Sequence, residues 1–146
     1  MKKKVFIIGS MMILVVIILA LVIGGMQRRP QGSIQGPEDV VPSYEVLVQN
    51  LTDEGYEIHE ETNVFDCDVT AKRVIATKGK KYIDICYELK EEDVEAVFKK
   101  YLEKYEDTSF YVLAQNGTFV YCVSDKKTFK KSGFTSLANY GQQILR

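Results

Sequence analysis

The sequence predicts an α+β protein: one transmembrane helix, then a small domain of two helices packed on an antiparallel sheet, in the order helix, strand, hairpin, helix, hairpin. Three observations carry this expectation. Residues 5–26 form an uncharged apolar run. Residues 94–105 repeat apolar side chains at helical spacing. Residues 110–123 alternate about an Asn-Gly turn signal. The chain has 146 residues, which leaves room for one domain beside the apolar segment.

The apolar run reads VFIIGSMMILVVIILALVIGGM. At the helical rise it spans about 33 Å, against a hydrocarbon core of about 30 Å. Lipid offers no partners to backbone N–H and C=O groups, so a lone segment of this kind crosses as a helix. Lys2, Lys3 and Lys4 precede it, and Gln27, Arg28, Arg29 and Pro30 end it. The positive charge ahead of the run places residues 1–4 in the cytoplasm and the C-terminal part outside, at the cell membrane. The rival reading is a cleaved signal peptide. Its apolar region would be about 7–15 residues, followed by a small-x-small site. This run is longer, and Val22-Ile23-Gly24 is a poor site. Ala20 and Gly24 form a small-xxx-small pair, but small residues are common in such helices.

Residues 27–39, QRRPQGSIQGPED, have the composition of a flexible linker. Thirteen such residues have a typical end-to-end distance of about 20 Å, which keeps the outer domain, residues 40–146, near the bilayer. In that domain Val40, Tyr44, Leu47, Val48 and Leu51 fall at helical spacing. Ser43 or Asp39 is the candidate cap and Gly55 the candidate C′ residue, giving a helix over 43–54. Residues 56–62 alternate weakly and read as a short edge strand. Residues 70–77 and 81–89 read as strands joined at Gly79. Val74, Ala76, Ile83, Ile85, Tyr87 and Leu89 are expected on the packed face. Arg73, Ile75, Tyr82, Asp84, Cys86 and Glu88 are expected on a wetter one.

Val94, Val97, Phe98, Tyr101, Leu102 and Tyr105 follow the i, i+3, i+4, i+7, i+8, i+11 spacing of a second amphipathic helix. Acids at its start and lysines towards its end match the helix dipole. Asn116-Gly117 predicts a two-residue hairpin loop, since both residues tolerate positive φ. That loop pairs Ala114 with Phe119, Val112 with Tyr121 and Phe110 with Val123. Leu137, Tyr140, Ile144 and Leu145 suggest a short terminal helix.

Lys plus Arg number 19 and Asp plus Glu 20, for a net charge of −1, which argues against a nucleic-acid partner. The charges are nonetheless segregated. Residues 38–68 hold ten acids and no Lys or Arg, whereas 125–146 hold five bases and one acid. Lys126, Lys127, Lys130 and Lys131 surround Phe129, a pattern suited to an anionic surface or, within the molecule, to the acidic first segment.

The lone histidine, His59, lacks the second ligand of an HExxH site, and no GxSxG elbow, GxGxxG or P-loop occurs. Cys67, Cys86 and Cys122 have no CxxC spacing. Cys86 and Cys122 share a predicted sheet face, which makes them either a candidate disulfide or two half-buried thiols. Asp66, Asp68, Glu60 and Glu61 could offer oxygen ligands to calcium, but they match no EF-hand loop and read as a solvated acidic loop.

No cofactor or metal is expected, and nothing points to an enzyme. A hydrolase using a carboxylate pair such as Glu60 and Asp66 has only common acidic residues behind it. The sequence predicts a membrane-anchored, single-pass protein with a small extracytoplasmic binding or sensing domain. The alternatives are an accessory subunit of a membrane transporter or signalling complex, and a secreted binding or inhibitor-like domain released by signal-peptide cleavage. The lipid bilayer is the partner of residues 5–26, and a membrane-protein or cell-envelope partner is consistent with the tethered head. The MKKK start, the tethered small domain and the Lys-rich usage resemble those of small bacterial cell-surface proteins.

Overall fold

Ser43 ends a stretch of extended backbone, and its hydroxyl accepts from the Val46 N–H at 3.4 Å. Helix formation starts there because the cap satisfies an otherwise orphaned donor. The computed structural model describes residues 36–66, 68–138 and 141–146. In it a short helix α1 (Pro37–Val40) precedes α2 (Tyr44–Asp53). Gly55, at φ 76°, closes α2. The Tyr56 N–H reaches the Leu51 carbonyl and the Gly55 N–H the Thr52 carbonyl, both at 2.9 Å, the double bond of a Schellman motif.

The strands follow as β1 (Glu57–Asn63), β2 (Thr70–Lys78) and β3 (Lys81–Tyr87), then helix α3 (Glu91–Lys104). A hairpin of β4 (Val112–Asn116) and β5 (Phe119–Val123) leads to helix α4 (Lys126–Lys131) and a last strand β6 (Gln143–Leu145). The sheet is antiparallel throughout, in the order β1-β2-β3-β5-β4-β6. The domain is therefore α+β, as the sequence predicts. The expected edge strand, the 70–89 hairpin and the two main helices are all present.

Five expectations need correction. The linker does not reach residue 39: Pro37 starts a helical turn, and Val40 and Val41 are buried. The 112–123 hairpin turns at Gly117-Thr118, so Ala114 pairs with Tyr121 and Val112 with Val123. Gly117 has φ 60° and Thr118 does not have positive φ, the pattern of a II′ turn with glycine first. Each pairing slides by two positions, which preserves parity, so Val112, Ala114, Tyr121 and Val123 still share one face. Phe110 lies before β4 and joins the opposite cluster.

The remaining three corrections concern the sheet faces and the C-terminus. Leu89 also changes side, because Glu88 adopts φ 60° and turns the chain after β3. The predicted terminal helix is absent from the described residues; Gln143, Ile144 and Leu145 instead pair with Ala114, Leu113 and Val112. The largest correction is the wetter face, which is not wet. One sheet face packs on α2 and α4 through Leu47, Leu51, Phe129 and Phe134. The other packs on α3 through Val94, Val97, Phe98 and Tyr101. Arg73, Asp84 and Cys86 lie beneath α3, at 3%, 0% and 0% exposure.

Among the described residues no helix is long and apolar enough to cross a membrane. The expected span over residues 5–26 lies outside the described residues, as does the linker as far as residue 35.

Two substitutions test this account. Leu51→Ala removes a fully buried side chain and should cost about 2–5 kcal/mol in urea unfolding. Gly117→Ala places a Cβ 2.6 Å from Pro37 Cγ at a positive φ and should cost at least about 1–2 kcal/mol in the same measurement. An unchanged midpoint for the alanine variant at 117 would show that the hairpin turns elsewhere.

Candidate functional site

The densest chemistry lies between the sheet and α3. On adjacent strands Arg73 pairs with Cys86 across β2–β3, and Glu61 pairs with Arg73 across β1–β2. Asp84 stands two residues before Cys86 on the same face. Arg73 therefore meets Asp84 diagonally, with Nε to Oδ1 at 2.9 Å and Nη2 to Oδ2 at 2.6 Å. This is a bidentate fork, the strongest form of such a pair. From above, α3 adds Tyr101, Lys104 and Tyr105, which share one helix face by their i, i+3 and i+4 spacing. Tyr101 donates to Oδ1 at 2.5 Å, Tyr105 to Oδ2 at 2.5 Å and Lys104 Nζ to Oδ2 at 3.0 Å.

Five donors thus converge on one carboxylate, which offers about four lone-pair sites. Burial is the largest single influence on Asp84 and pushes its carboxyl up. The Arg73 hydrogen bonds and charge, with Lys104 and Tyr101, outweigh burial and hold it below the ordinary carboxylate range. Burial likewise pulls Arg73 down, but the bonds and charge of Asp84 reverse the shift, so the guanidinium stays charged. Its remaining Nη1 donates to Glu61 Oε2 at 2.9 Å, and Phe65 lies 4.1 Å from its Cζ. Phe65 holds this position with φ 55°, an unusual backbone for an aromatic residue. A cleft of about 520 Å³, lined by Glu60, Glu61, Thr62, Asn63, Phe65 and Arg73, opens beside it.

Both described cysteines are free thiols in this layer. Cys86 Sγ lies 3.3 Å from the Tyr101 hydroxyl, and Cys122 Sγ lies 3.7 Å from that of Tyr82. Cys122 faces Asp84 across β3–β5 and Cys86 faces Val120, so the two candidate disulfide partners sit diagonally on neighbouring strands. Burial pushes both thiols up to about 12. A thiol that hard to ionise is a poor nucleophile. Cys67 lies outside the described residues.

The other residues singled out by the sequence scatter. His59 is on the exposed edge strand, its side chain 70% accessible and its Nε2 3.4 Å from Glu61. Among the described residues no group of three His, Cys, Asp or Glu is placed to hold a metal ion. Phe129 is buried at 5% in the core, so it is not part of an anionic-surface patch. Lys131 pairs with Glu54, which fits the alternative in which the basic tail lies against the acidic first segment. Lys126, Lys127 and Lys130 remain exposed on α4.

A second cleft, about 280 Å³, lies on the opposite face of the sheet, where α2 meets β2, β3 and β5. Tyr44, Tyr87 and Phe119 line it, and Tyr87 meets the other two rings edge-on at 6.2 and 5.8 Å. The Tyr87 hydroxyl donates to the Pro42 carbonyl at 2.9 Å. Lys72 Nζ sits 3.4 Å from the Tyr44 ring centroid. Glu38, Glu45 and Glu88 also line it. Sequence spacing gave no signal for this cleft, because its walls come from five separate elements.

The chain matches no family model, no curated protein and no solved structure.

What the ionic cluster can do follows from its saturation. Asp84 has no lone pair left for a proton in flight, and both described thiols are held protonated, so the arrangement fastens α3 to the sheet. Asp84→Asn should cost about 3–5 kcal/mol, because Arg73 and Lys104 would lose their shared partner. Replacing Arg73 and Asp84 together by Met and Leu should cost less than the single change. Urea unfolding of the three proteins checks this ordering.

Stability should also depend on pH at both ends. The folded Asp84 carboxyl titrates below its unfolded value of about 3.9, so its contribution is present above that value and is lost as pH falls towards the folded one. The thiols titrate at about 12 when folded and at about 8.5 when unfolded. Their contribution is therefore lost as pH rises above about 8.5. A thermal midpoint that stayed flat from pH 7 to pH 11 would contradict the burial of Cys86 and Cys122.

Proposed function

We propose that this chain is a single-pass membrane protein whose folded domain, from residue 36 onwards, is an extracytoplasmic binding or sensing domain and not an enzyme. The observation that carries this reading is the uncharged run from Val5 to Met26, preceded by three lysines. Its length matches the hydrocarbon core, and the flanking charge favours a cytoplasmic N-terminus. The folded head supports the binding half of the reading. Its strongest ionic groups are consumed in holding the fold together. Its clefts, by contrast, are lined with groups suited to recognition.

Fractionation of cells expressing the full chain, followed by protease treatment of intact cells, tests the proposal. The protein should pellet with membranes, and the head should be cut by external trypsin before lysis. Recovery of a mature form starting beyond the apolar run in the culture fluid would instead indicate secretion. A head protected until lysis would place it on the cytoplasmic side.

A further inference from the structure

The cleft between α2 and the sheet combines two kinds of group that rarely share a small space without a reason. Its walls include three aromatic rings, Tyr44, Tyr87 and Phe119. It also carries three carboxylates, Glu38, Glu45 and Glu88, and among the described residues none of these is in an ion pair. Lys72 supplies the one opposing charge, so the cleft is formally negative.

Lys72 also shows what the cleft attracts. Its ammonium lies 3.4 Å from the Tyr44 centroid, well within cation–π range. The protein thus already seats a cationic group on an aromatic wall beside carboxylates. We propose that this cleft binds a small organic ammonium ion, with the Lys72 side chain as a built-in competitor that the ligand displaces from the Tyr44 ring. The inference rests on the reading of the head as a binding domain but not on its membrane anchor.

The alternatives fit less well. An anion would meet three carboxylates. A divalent metal needs several oxygen ligands at about 2.0–2.6 Å, and among the described residues no three metal-binding side chains converge. A purely apolar ligand would gain nothing from the three exposed carboxylates at the rim. The volume, about 280 Å³, lies at the small end of ligand sites, about 300–1,000 Å³, which suits a methylated ammonium head on a short stem.

The test is an NMR titration of the full-length protein, labelled at Tyr and Phe rings, in an uncharged maltoside detergent. Tetramethylammonium and choline should shift the Tyr44, Tyr87 and Phe119 ring signals, with dissociation constants on the order of 1–10 mM. The neutral isostere of choline, 3,3-dimethylbutan-1-ol, should not. Lys72→Gln should tighten binding about three- to tenfold, since it removes the competing charge. Glu45→Gln and Glu88→Gln, both at exposed positions, should each weaken it about two- to fivefold.

Repeating the titration in vesicles of an uncharged galactolipid and in phosphatidylcholine vesicles, so that neither surface concentrates the cation, separates the ligand's source. Equal affinities indicate a free ammonium compound, whereas weaker binding in phosphatidylcholine indicates competition by the lipid headgroup. Both results uphold the ammonium chemistry. Equal binding of the neutral isostere, or a Lys72→Gln variant with unchanged affinity, overturns the proposal. Membrane fractionation is read separately, so a failed titration does not bear on the anchor and a failed anchor does not bear on the cleft.

Discussion

The grip of five donors on Asp84 is the contact on which the rest of the domain depends. Two ions without water cost several kcal/mol each, and their pairing offsets that cost only if every lone pair and proton is used. Here they are. Arg73 comes from β2, Asp84 from β3, and Tyr101, Lys104 and Tyr105 from α3. The contribution is positional. A one-residue slip of β2 against β3 would carry Arg73 to the other face and leave Asp84 buried beneath a helix with no cation beside it. The cluster therefore fixes strand register and helix placement together.

That arrangement also divides the molecule into two working surfaces. On the α3 side the ionisable groups are spent on structure, and the described thiols are buried and held protonated. On the α2 side the polar groups are fewer and less saturated, and the aromatic cleft opens among them. Recognition is cheaper to build there, because no buried charge has to be exposed for a ligand to enter. The edge strand β1 serves both sides, through Glu61 on the first and, on the second, through Glu60, which accepts from the Tyr44 hydroxyl.

Much of the domain was legible from the residues. Helix α3 could be read because its apolar positions recur at 3.6-residue spacing, and α2 because Ser43 and Gly55 mark its ends. The 70–87 hairpin followed from alternation about Gly79. The second buried face was missed because Arg73 and Asp84 look like surface residues when read one at a time. The signal was present on the other hairpin: Leu113, Val120 and Cys122 are apolar on that same face. Helix α4 had a signal too, in the Asp125 carboxylate that caps the Lys127 and Thr128 amides. The last strand had none, since three exposed residues carry no pattern to read.

By itself the sequence determined the elements that depend on neighbours along the chain: capped helices, alternating strands, glycine-led turns and an uninterrupted apolar run. These are local because backbone hydrogen bonding and side-chain periodicity act over a few residues. Only the tertiary structure decided which sheet face each helix covers, that Asp84 and Arg73 neutralise each other, and that Tyr44, Lys72, Tyr87 and Phe119 share one cleft. Those facts depend on residues far apart in sequence, and the energy that unites them exists only once water has been excluded between them.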